Sequence, residues 1–235
     1  CRAVRSFSSR AKNHSQLHLI GLLSEGGVHS HLDHLYAFLE FAKQENFNDV
    51  FIHIITDGRD SEPTEAVVFI ERLLKKIKEI EVGKIATIVG RFYAMDRDNH
   101  LDRTRQAFRA QSDGIGVAYA TDPLHAISQI YKQGYTDEFI PAIVLVDDLK
   151  SKKPVGEIAH QDAVIFFNFR ADRARQLSTA YLDSRVGKKK FTNLYFATLT
   201  DYNLKQPAKI IFPPSKIKNS LANILSFRQL KQLHL

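Results

Sequence analysis

Ala163-Val-Ile-Phe-Phe-Asn-Phe-Arg-Ala-Asp-Arg-Ala-Arg-Gln176 is the stretch that decides the fold. Ala163 to Phe167 is a short apolar run, the pattern of a strand buried on both faces. Asn168 ends the run. From Arg170 onward the residues favour helix, so a helix is expected from about Arg170 to about Leu182. Three residues separate Arg170 from Arg173, which places both on one face of that helix. A strand that launches a helix bearing two arginines makes an anion site, because free N–H groups and the positive dipole end add to the guanidinium forks. The plain alternative is a pair of solvated surface arginines.

The same pattern recurs upstream. Leu17 to Leu23 reads as a buried strand, followed by the glycine loop Ser24-Glu-Gly-Gly-Val-His-Ser-His31 and a helix over Leu32–Asn46. Asp49 to Ile55 reads as a second strand, followed by Thr56-Asp-Gly-Arg-Asp60 and a helix after Pro63. Lys84 to Val89 reads as a third, followed by Gly90-Arg-Phe-Tyr-Ala-Met-Asp-Arg-Asp98 and a helix from about Leu101. A helix is expected over Pro123–Lys132, strands near Ala142–Val146 and Asn193–Leu199, and a polar excursion over 147–161. Alternating strands and helices predict an α/β fold, with a largely parallel sheet covered by helices on both faces. In such sheets ligands bind beyond the carboxyl ends of the strands. The loops carrying His29, Arg59 with Asp60, Arg91 with Arg97, and Arg170 with Arg173 all follow strands, so they are expected to open on one edge and form a polyanion pocket.

Composition narrows the partners. The chain has 235 residues, a formal charge of +7 and a single cysteine, Cys1. No internal disulfide can form, which fits a reducing compartment, and a cytoplasmic location is expected. No apolar run reaches the ~20 residues of a membrane helix, so no membrane partner is expected. The basic charge suggests an anionic partner. Nucleic acid is not expected, because Phe51, Phe166, Phe167, Tyr195 and Phe196 fall inside strands rather than on a stacking surface. His29, His31 and His34 suggest metal only weakly. Asp57-Gly-Arg-Asp60 reads as a metal loop or an Arg–Asp pair, in which Arg59 would lower the Asp60 pKa. Gly26-Gly27 is either a phosphate cradle or a tight turn. Asp96-Arg-Asp98 looks metal-like, but its arginine opposes a cation. The expectation is no metal site and a monomer.

The four blocks Gly-Leu-Leu-Ser-Glu-Gly-Gly-Val-His-Ser-His, Asp-Gly-Arg-Asp, Gly-Arg-Phe-Tyr-Ala-Met-Asp-Arg-Asp and Phe-Phe-Asn-Phe-Arg-Ala-Asp-Arg-Ala-Arg-Gln, in this order, resemble cofactor-independent phosphoglycerate mutase. The resemblance runs from about Leu17 onward. It implies an isomerase of glycolysis and gluconeogenesis interconverting 3-phosphoglycerate and 2-phosphoglycerate. In that family a phosphatase-like domain holds two manganese ions and a serine nucleophile, and an inserted domain holds the glycerate. By the resemblance, His29, Arg170 and Arg173 hold the phosphoryl group, Arg59, Arg91 and Arg97 hold carboxylate and hydroxyls, and Asp60 is the general acid/base.

The resemblance further divides the chain into an N-terminal connector over 1–16, a substrate-binding (phosphotransferase) domain over 17–212, and a connector and helix over 213–235 leading to the phosphatase-like domain. The family's Asp-Gly-x-Gly metal loop, its serine and its C-terminal metal ligands do not occur in this chain. A fragment that binds no cofactor and is inactive alone is therefore expected. A non-catalytic anion-binding module or decayed remnant stays open as the alternative. Departures from the family pattern are Glu25, Ser61-Glu62 and Asn99-His100-Leu101; none removes a site residue.

Overall fold

Eight strands form one sheet in the computed structural model, which describes residues 16–214 and 220–233. In chain order the elements are β1 (Leu17–Leu23), α1 (Leu32–Gln44), β2 (Val50–Thr56), α2 (Ala66–Ile80), β3 (Lys84–Gly90), α3 (Arg91–Ala94), α4 (Leu101–Asp113), β4 (Ala118–Ala120), α5 (Pro123–Lys132), β5 (Ile143–Leu145), β6 (Ala163–Phe166), α6 (Arg175–Leu182), α7 (Ser184–Gly187), β7 (Tyr195–Thr198), β8 (Lys209–Ile210) and α8 (Leu221–Phe227). The strand order is β4-β5-β3-β2-β1-β6-β7-β8. From β3 to β8 every neighbouring pair is parallel, while β5 runs antiparallel to β3 and parallel to β4. The expected α/β architecture is the observed one, and the four strands expected to be adjacent are adjacent in the order β3-β2-β1-β6.

The central strands are buried on both faces because helices cover both. Leu17, Leu19, Ile52, Ile54 and Ile165 pack with α1 and α2 on one side. Ile20, Leu22, Ile55, Val89 and Phe166 pack with α4 and α6 on the other. Asn168 stops the apolar run of β6 for a reason. Its Oδ1 accepts from the Leu22 N–H at 2.9 Å and its carbonyl accepts from the Tyr202 hydroxyl at 2.6 Å. A buried amide with partners at both ends ties the ends of β1 and β6 together.

A polar chain crosses the α4 side of the sheet. Asp162 Oδ2 lies 3.3 Å from His18 Nε2, His18 Nδ1 lies 3.0 Å from His53 Nε2, and His53 Nδ1 lies 3.0 Å from Thr87 Oγ1. With both rings neutral one arrangement satisfies every atom: Thr87 donates to His53, His53 to His18, and His18 to Asp162.

One expectation needs correction. The helix after β6 begins at Arg175, not Arg170. The Phe169 and Arg170 N–H groups both point to the His29 carbonyl, at 2.8 and 3.3 Å, which holds that segment out of helical register. Arg170 and Arg173 therefore share a loop rather than a helix face, and the Arg170 N–H is spent on the protein. The helix after Pro63 starts at Ala66, because the cap comes from elsewhere: Asp137 Oδ2 accepts from the Ala66 and Glu65 N–H groups at 2.8 and 2.9 Å. Two short edge strands, β4 and β8, went unassigned; three and two residues are too few for periodicity to register. The expected polar excursion is present and returns through a bridge between Val146 and Pro154. Of the N-terminal connector over 1–16, residues 1–15 lie outside the described residues, as do 215–219 of the C-terminal one.

Candidate active site

Loops after β1, β2, β3 and β6 bring charged side chains to one edge of the sheet. Arg91, the first residue of α3, is the most buried of the candidate arginines. Its Nη1 donates to Asp57 Oδ1 at 2.5 Å and to Asp60 Oδ2 at 2.6 Å. Both Arg91 and Asp57 are almost wholly buried, at 3% and 1% exposed. Burial pushes the Asp57 carboxyl up, but the Asp60 N–H, the Ser24 hydroxyl and the Arg91 guanidinium outweigh it and hold it below the ordinary range. The expected Arg–Asp pair exists, with a different arginine: Arg59 turns outward and meets Glu138 at 3.4 Å. The Asp57–Asp60 loop is therefore an arginine clamp rather than a metal loop.

His29 sits between two carboxylates. Its Nε2 is 3.7 Å from Asp60 Oδ2 and its Nδ1 is 3.6 Å from Asp172 Oδ1. Burial, with Arg91 next, lowers the His29 pKa against the pull of Asp172 and Asp60. Asp172 also meets Arg170 Nε at 3.1 Å and Arg97 Nη1 at 3.1 Å. Arg173 donates to the Met95 carbonyl at 3.3 Å. Burial lowers the Arg173 pKa, and the positive charges of Arg97, Arg91 and Arg59 lower it further, so these arginines share one electrostatic neighbourhood. Six of the seven residues expected at the site lie in this edge cluster, and Arg59 stands at its rim, turned to Glu138.

Asp57 and Asp172 complete it, and sequence reasoning missed both as counter-ions. The available signal was position: Asp57 stands three residues before Asp60, and Asp172 lies between Arg170 and Arg173.

The glycine pair makes a close contact and a tight turn. A Cβ on Gly26 would stand 2.5 Å from the Asp60 carbonyl oxygen, so Gly26 lets two site loops touch. Gly27 supplies a left-handed turn at φ +65. His31, His34 and His29 do not converge: His31 Nδ1 caps α1 by accepting from the Asp33 N–H at 3.3 Å, and His34 packs edge-on against Phe169. Asp96, Asp98 and His100 do place ligand atoms within 4.8 Å of one another. Yet the Asp96 carboxylate already accepts from the N–H groups of Asp98 and His100, from His100 Nδ1 and from Gln176 Nε2, at 2.9 to 3.1 Å. That carboxylate is a loop tie, which does not fit a manganese ligand set. The aromatics Phe51, Phe166, Phe167, Tyr195 and Phe196 are all buried, so none offers a stacking face. Among the described residues no helix is long and apolar enough to cross a membrane.

The family model described as BPG-independent PGAM N-terminus matches residues 2–204. The chain belongs to the BPG-independent phosphoglycerate mutase N-terminal family. Its similarity extends to proteins named 2,3-bisphosphoglycerate-independent phosphoglycerate mutase. The one from Methanococcoides burtonii is 45% identical over 224 residues, which is 94% of this chain and 43% of that protein. The one from Moorella thermoacetica is 43% identical, covering 93% of this chain and 43% of that protein. The Leishmania mexicana phosphoglycerate mutase solved at low cobalt concentration superposes with a TM-score of 0.82 at 29% identity, over 97% of this chain and 43% of that one. The chain thus spans less than half the length of the mutases it matches, and its last 31 residues lie beyond the matched family region.

Proposed function

We infer that residues 17–212 are the substrate-binding domain of a phosphoglycerate mutase interconverting 3-phosphoglycerate and 2-phosphoglycerate, and that 213–235 lead into a second, phosphatase-like domain. The observation that carries this reading is the meeting of four strand-end loops, in a chain of this family, on one cluster of four arginines, His29 and three aspartates, with Arg59 at its rim. A small ligand with a carboxylate, a hydroxyl and a phosphoryl group needs that mixture. Arg170, Arg173 and His29 hold the phosphoryl group. Arg59, Arg91 and Arg97 hold the carboxylate and hydroxyls.

Asp60 presents a carboxylate oxygen to both Arg91 and His29. A glycerate hydroxyl seated on Arg91 would have a proton acceptor within hydrogen-bond reach, which is the geometry general acid/base work needs. Holding glycerate while its phosphoryl group is elsewhere makes the return step effectively intramolecular. A divalent-metal pair in the second domain would activate the nucleophile and neutralise phosphoryl charge. Among the described residues none fits such a pair, and the reading places metal binding and phosphoryl transfer in that second domain. The chain acts as a monomer in the cytoplasm.

Calorimetry with 3-phosphoglycerate and glycerate tests this. Charged hydrogen bonds contribute roughly 1.5–3 kcal/mol each, against association losses of ~4–15 kcal/mol, which leaves millimolar-range affinity, on the order of −4 kcal/mol. Arg170→Ala or Arg173→Ala should weaken phosphoglycerate more than glycerate, and Arg91→Ala should weaken both. Mutase activity from the isolated chain would overturn the assignment of the chemistry to another domain. Unchanged binding in all three variants would overturn the site.

A further inference from the structure

Asp172 draws together two guanidinium groups and an imidazole from three separate loops: Arg170 beside it, Arg97 after β3, and His29 after β1. The seat this makes is imperfectly filled. His29 Nδ1 and Asp172 Oδ1 are both buried; His29 Nδ1 makes no hydrogen bond, and Asp172 Oδ1 has only the ion-pair contact with Arg170 Nε, without hydrogen-bond alignment. At 3.6 Å the separation of His29 Nδ1 from Asp172 Oδ1 is too long for one. A planar carboxylate has two oxygens to offer three diverging donors. A tetrahedral oxyanion has more acceptor oxygens in a wider spread and more charge, which suits the same three donors better.

Asp172 also has somewhere to go. It lies in the turn between β6 and α6, with its side chain 26% exposed. A groove of about 480 Å³ opens beside it, lined by Arg97, Asn99, Arg175, Gln176 and Thr179. Arg175 is held away from the seat by the Tyr202 carbonyl at 2.7 Å. Arg97 and Arg170, by contrast, are half-exposed, flexible side chains, and Asp172 is what holds their heads.

We propose that Asp172 is the resident anion of the site: it keeps Arg97, Arg170 and His29 gathered, and an incoming phosphoryl group binds by taking its place. The inference rests on the anion-site reading above and adds a positioning residue to it. The seat is assembled before ligand arrives, and every ligand's affinity is reduced by the cost of displacing Asp172. This also separates the two sets of arginines less sharply than their assigned roles do, since Arg97 and Arg170 share one counter-ion.

The test is titration of the 235-residue chain and its Asp172→Asn variant with inorganic phosphate and with 3-phosphoglycerate at low salt. Asn keeps the shape and removes the competing charge. The variant should bind both ligands about tenfold more tightly. Raising salt from about 0.05 M to about 0.5 M should shrink that gain, because a charge effect is screened and a packing effect is not. Asp172→Ser, smaller and also uncharged, should give the same sign and serves if the amide does not fold. Equal or weaker binding by these variants, with wild-type binding intact, overturns the inference and leaves the anion site standing. So does a gain that ignores salt. No binding by the wild-type chain, or undiminished binding by Arg170→Ala, overturns the site itself and this inference with it.

Discussion

The Arg91 guanidinium is anchored by Asp57 at 2.5 Å, and neither side chain has appreciable contact with solvent. A buried pair of this kind is weak support for stability as such, but removing one partner leaves an uncompensated charge. Arg91→Met should therefore destabilise the chain by roughly 3–5 kcal/mol. Adding Asp57→Asn to Arg91→Met should recover about 1 kcal/mol or more, because the stranded carboxylate is gone. Urea unfolding at neutral pH of the single and double variants checks both. A double variant less stable than Arg91→Met alone would contradict the burial argument.

The His18–His53 pair sets how the fold responds to acid. Both rings are fully buried, and burial lowers both pKa values; Asp162 opposes this at His18, whereas the His18 charge adds to it at His53. A histidine whose folded pKa is depressed takes up its proton in the unfolded chain first. Stability is therefore complete above the unfolded value of 6.5 and falls as pH drops below it. Each neutral buried ring should cost about 1.4 kcal/mol for each pH unit below that value. Asp57, Asp96, Asp162 and Asp172 are all shifted down, so their contribution is lost only below the ordinary carboxylate value of 3.8. Urea midpoints should begin to fall between pH 7 and pH 5, in the histidine window. His53→Gln should flatten that first slope while lowering stability at neutral pH.

Much of this was legible in the residues. β1, β2, β3 and β6 are mainly apolar runs, broken by His18, His53 and Thr87 and ended by glycine or a polar residue, and the sheet they form places their loops together. What escaped was set by contacts distant in sequence. The start of α6 depends on the His29 carbonyl capturing the Phe169 and Arg170 N–H groups. The start of α2 depends on Asp137, 71 residues past Ala66. The pairing of Arg91 rather than Arg59 with Asp60 depends on how α3 leaves β3, and no local spacing encodes that. Helix-favouring residues and a short Arg–Arg spacing read as helix because propensity counts neighbours in the chain, and the hydrogen bonds that won came from another loop.

Gly26 and Gly27 should behave differently when replaced. Gly26→Ala drives a methyl into the Asp60 carbonyl, which stands 2.5 Å from that position, so the Asp60 loop must move. Phosphoglycerate binding should fall about tenfold or more, ~1.4 kcal/mol. Gly27→Ala meets nothing within 4 Å but keeps φ +65, which costs about 1–2 kcal/mol of backbone strain. Gly27→Ala should lower the thermal midpoint and leave binding close to wild type. If the two variants lose binding equally, the contact between Gly26 and Asp60 is not what positions the site.

The Asp96 loop is where metal would be sought, and it should not take one. Four donors already converge on that carboxylate, and Arg103 adds a fifth contact at 3.4 Å. His100 Nδ1 is itself turned to Asp96 at 3.0 Å. Binding a divalent ion would exchange these hydrogen bonds for a site with one buried and two exposed ligands. Chain dialysed against chelator and then against manganese should carry far less than about one ion per chain by elemental analysis. Asp96→Asn should leave that metal content unchanged and lower stability by about 1–3 kcal/mol, because an amide nitrogen cannot accept from the donors it faces. It should also weaken phosphoglycerate binding, since Arg97 is the next residue and its backbone is held by the Asp96 turn. Manganese retained at about one ion per chain and lost in Asp96→Asn would show that the loop is a metal site after all.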